Sequence, residues 1–194
     1  MVPPYFGPIS YWKEIVNSNI IWDVHQNYIK QTYRNRTFIH SANGIQKLTI
    51  PINHSKIKFS MMDAEIDNKI GWQKNHWRSI QSAYSSSPFF EFYKDSLEEV
   101  YIKKYKNLVK FNFELIKLVL EWLDIELKSE LSKEYKPHYN KTLDLRKNIE
   151  NKRFSKIENK TYIQVFSGKN GFINDLSIID LIFNEGPNSF SYLK

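Results

Sequence analysis

Cysteine is absent from the 194-residue sequence. Its absence excludes a disulfide framework, a thiolate metal site and a cysteine nucleophile, because each of these requires the thiol group. A chain without disulfides also suits the reducing conditions of the cytoplasm.

Long apolar segments are missing as well. No apolar stretch approaches the ~20 residues that a helix needs to cross a bilayer. The N-terminal stretch MVPPYFGPIS lacks the basic start and the apolar core of a signal peptide. We therefore expect a soluble, cytoplasmic protein with no membrane span.

The material for a hydrophobic core is plentiful. Hydrophobic residues make up 41% and aromatic residues 15% of the sequence, so disorder of the whole chain is not expected. A chain of 194 residues most naturally forms one domain. We predict a single domain with four parts. Residues 1–70 are the mainly α/β part and residues 71–127 the helical part. Residues 128–160 are a polar loop or lid, and residues 161–194 are a closing strand and helix.

Positive charge is in excess, with a net charge of +7 and a pI of about 9.3. Such an excess is typical of nucleic-acid binding. Much of it, however, lies between Lys128 and Lys160, and it does not alternate with aromatic residues as in a base-stacking surface. The combined richness in Lys, Asn and Ile indicates a compositionally biased genome, which raises the pI without selecting a partner. We predict no nucleic-acid partner and a modest affinity for anions.

The N-terminal part has an α/β pattern. We predict a short edge strand, a helix, a buried strand, a hairpin and a further short strand in residues 2–5, 9–16, 20–24, 37–52 and 57–66. Because Pro3 and Pro4 lack backbone donors, the first segment is either an edge strand or only an extended entry to the fold. The hairpin prediction rests on the dipeptide Asn43-Gly44, a strong two-residue turn signal.

The remainder of the chain is mostly helical. Apolar residues recur at helical spacing in four stretches, which predicts helices in residues 72–85, 87–105, 111–127 and 176–187. Gly186 and Pro187 end the last of them. The segment TYIQVF, residues 161–166, predicts a strand before it. The whole pattern predicts an α/β fold with a small Rossmann-like N-terminal sheet, a helical C-terminal portion and a late strand–helix unit.

A cation-rich segment, YIKQTYRNRTF at residues 28–38, is the strongest candidate for a functional site. Arg34 and Arg36 are two residues apart and therefore project to the same side of an extended chain. With Lys30 nearby, they have the chemistry to hold two oxygens of a phosphate or carboxylate. The segment also joins a buried strand to a hairpin, where α/β sheets often place a ligand crevice. A solvated surface loop is the alternative.

His76 is the leading acid–base candidate, because imidazole titrates near neutral pH. The alternative is a histidine hydrogen-bonded within an aromatic interface, since Trp72 and Trp77 lie close to it on the predicted helix. His25, just after a predicted strand, is a second candidate. No histidines and carboxylates have the spacing of a zinc site, and no Gly-x-Ser-x-Gly or Walker motif occurs. We predict no metal, and the residues alone leave the reaction open.

Six segments occur in order between Pro3 and Leu193: PPYFGPISYWKEI, YIKQTYRNR, LTIPI, HWRSIQSAYSSSPFFEFY, YIQVF and LSIIDLIFNEGP. Together they resemble the WbqC-like family, small bacterial proteins often encoded with O-antigen and other surface-polysaccharide genes. The resemblance implies an enzyme that transfers an acyl or aminoacyl group, such as glycyl, to a nucleotide-linked amino sugar.

The resemblance also selects polar positions, which are Tyr5, Lys30, Gln31, Arg34, Asn35, Arg36, His76, Ser82 and Tyr84. We expect the first six to bind a nucleotide sugar or another anionic small molecule. His76 and Tyr84 are the expected catalytic residues, with His76 as acid or base and Tyr84 orienting the substrate together with Asn35. The resemblance implies no particular cofactor and no oligomeric state.

Two alternatives remain open. The turn YFGPISYW is similar to the phosphate-gripping turn of nucleotidylyltransferases, but Tyr and Ser stand here in place of the histidines, so such an enzyme would carry a degenerate signature. The other alternative is a non-catalytic binding or assembly component of the same pathway. It would use an aromatic surface formed by Phe89, Phe90, Phe92 and Tyr93.

Overall fold

The structure is a computed structural model that describes residues 1–53, 58–139, 143–147, 149 and 159–194. Within these residues the α-helices are α1 Ile9–Val16, α2 Trp72–Tyr84, α3 Phe90–Ile102, α4 Leu108–Trp122, α5 Ser167–Asn170 and α6 Ile178–Glu185. The strands are β1 Ile20–Trp22, β2 Arg36–Ser41, β3 Gly44–Thr49 and β4 Ser129–Leu131. Two 3-10 helices cover Asn68–Ile70 and Gly186–Tyr192.

The strands form two separate two-stranded sheets in the described part of the chain. β1 pairs in parallel with β4, and β2 pairs with β3 as an antiparallel hairpin. The mixed α/β class is therefore confirmed. A Rossmann-like N-terminal sheet is not confirmed, because β4 is the one described strand that pairs with β1.

The hairpin and the predicted helices form where the local sequence pattern places them. Ser41 pairs with Gly44 across a loop of Ala42 and Asn43. Gly44 has a φ of 91°, whereas the φ of Asn43 is not positive. The turn is therefore made by Ala42 and Asn43, and Gly44 already belongs to β3. Helices α1, α2, α3, α4 and α6 correspond to the predicted helices.

Of the two predictions for residues 2–5, the extended entry is the one observed, and no strand forms. Pro3 and Pro4 cannot donate to a ladder. The Tyr5 N–H donates to the Tyr33 carbonyl oxygen at 2.8 Å, and the Tyr5 carbonyl accepts from the Gly7 N–H at 2.7 Å. The predicted strand at residues 57–66 is also not formed in its described part, which contributes isolated bridges such as Asn27 to Ser60.

The predicted strand at residues 161–166 is wrong as well. The side chains of this segment alternate as in a strand, with Tyr162 and Gln164 buried and Ile163 exposed. Its inward side chains are polar, however, and they hydrogen-bond to Asp180. No described strand pairs with its backbone, so the late strand–helix unit consists of this extended segment and α6.

The polar segment predicted as a loop or lid is partly anchored. It contains β4, and Arg146 within it forms an ion pair with Asp23 at 2.8 Å, where both side chains are buried. The remaining guanidinium N–H groups donate to Asp144 and to two backbone carbonyl groups. Residues 140–142, 148 and 150–158 lie outside the described residues, so closure over a ligand stays a prediction.

Helices α4 and α6 supply much of the core. In α6, every residue from Ile178 to Asn184 is buried, so its polar members Asp180 and Asn184 need internal partners. The hydrophobic core extends from Val2 to Leu193, and the division of the domain into four parts stays a prediction. No helix of the described residues has both the length and the apolar character that a membrane crossing requires.

Candidate functional site

The cation-rich segment is turned rather than extended before β2 begins. Residues 30–35 form turns, and Gln31 has a φ of 67°, in the left-handed region. Lys30 and Gln31 are exposed, Arg34 is fully buried, and Arg36, the first residue of β2, is half-buried. An extended chain would place Arg34 and Arg36 side by side. In the structure, the two side chains project to different places.

Arg34 belongs to the interior of the protein. Its guanidinium donates to Gln26 Oε1 at 2.8 Å and to Thr32 Oγ1 at 3.2 Å. Its carbonyl oxygen accepts from the side chain of Asn112 at 2.8 Å, and the same amide donates to the carbonyl of Pro3 at 3.0 Å. Arg34 thus holds the N-terminal segment, the cation-rich turn and α4 together, which leaves Arg36 as the arginine of the pair that a ligand reaches from the surface.

Arg36 and three residues related to it by sequence, strand pairing or charge each have a buried polar atom that makes no hydrogen bond within the described residues. These atoms are Tyr28 OH, Asn35 Oδ1, Arg36 Nε and Thr49 Oγ1, and we call these four residues the Arg36 patch. Arg36 and Thr49 are cross-strand partners, so their side chains share one face of the hairpin. Burial raises the pKa of Tyr28, and the charges of Arg36 and Arg34 oppose that rise, which places the phenol near both cations.

The composition of the Arg36 patch favours an anionic ligand. Buried polar atoms in folded proteins are nearly always hydrogen-bonded. Here the unpaired atoms are two hydroxyl groups, a guanidinium N–H and one amide oxygen. Arg36 forms no ion pair in the part of the chain that the structure describes. A phosphate or carboxylate supplies acceptors for the donors of this patch.

Tyr5 and His76, two predicted site residues that are distant in sequence, are in contact. The Tyr5 hydroxyl lies 2.8 Å from Nδ1 of His76 and 2.6 Å from the hydroxyl of Tyr101. Burial lowers the pKa of His76 to about 4, although a hydrogen bond to the backbone of Thr49 acts in the opposite direction. The His76 ring is therefore neutral at pH 7.

The His76 ring and two tyrosines form one buried hydrogen-bond chain. A neutral imidazole has one N–H, and the ring nitrogen that carries it decides whether the Tyr5 hydroxyl donates to Nδ1 of His76 or accepts from it. Between Tyr5 and Tyr101, either hydroxyl can be the donor. Because burial raises the pKa of both tyrosines, both remain protonated. The hydrogen-bond chain runs from Tyr101 through Tyr5 to His76, and the backbone of Thr49 lies next to the ring.

Thr49 lies between the hydrogen-bond chain and the Arg36 patch, because its backbone is next to the His76 ring and its hydroxyl belongs to the patch. Of the predicted site residues, the structure thus brings Tyr5, His76, Asn35 and Arg36 into one region. Sequence reasoning missed Tyr28, Thr49 and Tyr101 as site residues. Two of these residues have a signal in the sequence: Tyr28 is the first residue of the cation-rich segment, and Tyr101 lies on the inward face of its helix. Thr49 gives no signal in the sequence.

Tyr84 belongs to a second buried cluster. Its hydroxyl donates to one oxygen of Asp180 at 2.7 Å, and Tyr162 and Gln164 donate to the other at 2.6 and 2.9 Å. Burial raises the pKa of Asp180. Along α2, Tyr84 lies about 12 Å beyond His76, so the two predicted catalytic residues belong to different polar clusters. The sequence signal that could have revealed this cluster is Asp180, a carboxylate among the apolar residues of α6.

Two other sequence candidates lie away from this region. Nδ1 of His25 is 3.0 Å from Ser132 Oγ, in the anchored polar segment. At the start of α1, the Ser10 N–H and hydroxyl both donate to the Asp175 carboxylate at 2.7 Å. A carboxylate therefore occupies the position that the nucleotidylyltransferase resemblance gives to a phosphate. Among the described residues, no three His, Asp or Glu side chains come together as a metal site.

Comparison with known proteins gives a family but no activity. A profile of the WbqC-like protein family matches residues 3–170. An uncharacterized protein of Mycobacterium tuberculosis, Rv1507c, is 26% identical over 221 aligned positions, which cover 98% of this chain and 91% of that protein. No solved structure gives a significant match. The chain belongs to the WbqC-like family.

Proposed function

We propose that this member of the WbqC-like family is an enzyme of surface-polysaccharide synthesis. In this proposal it binds a nucleotide-linked amino sugar at the Arg36 patch and transfers an acyl or aminoacyl group, such as glycyl, to the amine of that sugar. Family membership supports the pathway, and the unpaired polar atoms of the Arg36 patch support the binding site.

The Arg36 patch carries the proposal because its unpaired atoms match the chemistry of a sugar phosphate. The guanidinium of Arg36 and the hydroxyl groups of Tyr28 and Thr49 donate to phosphate oxygens, and the amide oxygen of Asn35 accepts from a sugar hydroxyl. Lys30 and Gln31 are exposed in the turn that precedes β2, where they can contact the outer part of the ligand. Tyr5 contributes indirectly, through its hydrogen bond to His76.

The proposed transfer is a simple acyl substitution. The amine nitrogen attacks the carbonyl carbon of an activated acyl donor, a C–N bond forms, and the bond to the leaving group of the donor breaks with its electron pair. The amine loses one proton. His76 is the base in this scheme. Its ring is neutral at pH 7, and its pKa returns toward the ordinary value of ~6.5 when the ligand or water solvates the ring, so that it can then accept the proton of the amine.

Tyr28→Phe and Thr49→Val test the binding site without removing any internal hydrogen bond. Both hydroxyl groups are unpaired in the free protein, so we expect each variant to unfold at the same urea concentration as the wild type or higher. A hydrogen bond to a charged ligand is worth ~1.5–3 kcal/mol, so each variant should bind a UDP-linked amino sugar about tenfold more weakly in calorimetric titrations. Arg36→Ala should bind more weakly still.

Lys110→Ala is the matched control, since it removes an exposed cation from α4 and should leave the affinity unchanged. If the wild type does not bind the sugar nucleotide, or if all variants bind it equally well, the Arg36 patch is not the site. Transfer itself is measured by mass spectrometry of the sugar nucleotide after incubation with an activated glycyl ester.

A non-catalytic component of the same pathway is the second candidate. It is favoured by the hydrogen bonds that already engage Nδ1 of His76 and the Tyr84 hydroxyl within the protein. In the aromatic surface that this function would use, Phe92 is 78% exposed but Phe90 is buried in the core. Sugar-nucleotide binding without any gain of mass, together with copurification of a glycan-modifying enzyme that Phe92→Ser abolishes, would favour this candidate over the transferase.

A further inference from the structure

A second basic surface lies in the groove between α2 and α3. The groove has a volume of about 460 Å³, which is within the range of small-molecule sites. Lys74 and Arg78 line it from α2, and Lys104 lines it from the end of α3. All three side chains are exposed, so they are free to turn toward a ligand in the groove.

The charges of this groove are not balanced by the protein. Lys74, Arg78 and Lys104 form no ion pairs in the part of the chain that the structure describes. Glu98, which also lines the groove, accepts a hydrogen bond from the indole N–H of Trp77 at 2.8 Å. Lys74 and Arg78 are one helical turn apart and repel each other. Lys74 also lies in the first turn of α2, where the helix dipole is positive.

The cavity beside β1 is larger, about 590 Å³, but its buried charged side chains, Arg146 and Asp23, are already paired with each other. Every nitrogen of the Arg146 guanidinium in that cavity donates to a carboxylate or a backbone carbonyl. Asp23 accepts from Arg146 and from two backbone N–H groups. That cavity offers a ligand few unpaired partners, whereas the groove between α2 and α3 offers three cations.

The groove is also connected to His76. Tyr101 lines the groove, and its hydroxyl lies 2.6 Å from that of Tyr5, which in turn contacts His76. The groove therefore lies at the Tyr101 end of the hydrogen-bond chain, and the Arg36 patch lies beyond its His76 end, next to Thr49. A ligand that displaces the Tyr101 side chain would change the hydrogen bonding of His76.

We propose that the groove between α2 and α3 is a second binding site, which holds the phosphate groups of a di- or triphosphate ester. Three cations and one engaged carboxylate leave a net charge that complements two or three phosphate charges, and a lone carboxylate ligand would leave part of it unbalanced. The proposal stands independently of the function assigned to the Arg36 patch, because the two sites share none of their ligand-binding side chains.

The test is a calorimetric titration of inorganic pyrophosphate at ~0.15 M salt, where long-range attraction between exposed charges is screened. The variant is Lys74→Ala/Arg78→Ala. The matched control is Lys110→Ala/Lys133→Ala, which removes the same charge from exposed positions elsewhere. We expect the first variant to bind at least about tenfold more weakly than the wild type, and the control to bind like the wild type.

The Trp77 indole N–H gives a second measurement, because it points to Glu98 in the groove. In ¹⁵N-correlated NMR spectra, with the signal assigned through Trp77→Phe, it should shift on addition of pyrophosphate. Unchanged binding in Lys74→Ala/Arg78→Ala, an equal loss in the control variant, or no binding by the wild type would each overturn the proposal. A loss in Arg36→Ala alone would overturn it too and would place the anion at the Arg36 patch, so the two proposals fail separately.

Discussion

Acidification should destabilise the protein through His76 in particular. Its pKa is lowered to about 4 by burial, against an ordinary value of ~6.5 in the unfolded chain. A lowered pKa in the folded state means that the unfolded chain binds the proton first. The stabilisation is therefore present above pH ~6.5 and is lost as the pH falls toward 4. At ~1.4 kcal/mol per pKa unit, the loss between pH 7.5 and pH 4 is about 3 kcal/mol.

A double difference isolates this contribution from that of the carboxylates. Urea unfolding is measured at pH 7.5 and pH 4 for the wild type and for His76→Gln, and the loss of unfolding free energy on acidification is compared. Groups other than His76 contribute equally to both proteins, so we expect the loss to be about 3 kcal/mol smaller in the variant. His25→Gln is the matched control, because it replaces a half-buried histidine that does not belong to the hydrogen-bond chain. This variant should lose as much unfolding free energy on acidification as the wild type.

The reasoning is refuted if acidification lowers the unfolding free energy of the wild type and of His76→Gln equally. It is also refuted if the Hε1 proton signal of His76 titrates near pH 6.5. Either result would mean that the ring is solvated. The hydrogen bond between Tyr5 and His76 would then be absent in solution, and the hydrogen-bond chain from Tyr101 to His76 would be broken.

Three further substitutions test two internal polar contacts and one tight glycine position. Arg146→Met should lower the unfolding free energy by ~3–5 kcal/mol, because it leaves Asp23 buried without its cation, and adding Asp23→Asn should restore part of the loss in urea unfolding. Tyr84→Phe should cost ~1–3 kcal/mol by the same assay, since Asp180 loses a hydrogen bond, with no change in sugar-nucleotide affinity. Gly186→Ala should lower the melting temperature, because the φ of 54° disfavours a side chain and the added Cβ would collide with a phenylalanine ring.

Local sequence patterns predicted the elements whose structure is set by near neighbours. The helices follow apolar spacing, and the hairpin follows a turn that a few residues determine. The parallel pairing of β1 with β4 could not be predicted, since Ile20 finds Ser129 as its partner in a charge-dense segment without a strand pattern. The ion pair between Arg146 and Asp23 spans 123 residues, and no local signal distinguishes this arginine from a solvated one.

The candidate site was located by its density of polar side chains, but its geometry depends on backbone that the sequence does not reveal. The left-handed conformation at Gln31 and the turn after it send Arg34 into the core while Arg36 begins a strand at the surface. Arg34 and Arg36 are two residues apart, and this spacing places two side chains together only in an extended chain. Tyr28 and Thr49 join Arg36 through strand pairing and burial, which are tertiary effects.

Pairing, rather than charge, distinguishes the Asp180 cluster from the Arg36 patch. At Asp180 both carboxylate oxygens receive hydrogen bonds from within the chain, so the cluster is complete without a ligand and suits a structural role. At the Arg36 patch, two hydroxyl groups, an amide oxygen and a guanidinium nitrogen lack protein partners. Each unpaired buried group costs ~1–3 kcal/mol unless water or a ligand satisfies it. A ligand that satisfies these atoms together recovers that cost on binding, which is why we assign the ligand to the patch whose hydrogen bonds the chain leaves unmade.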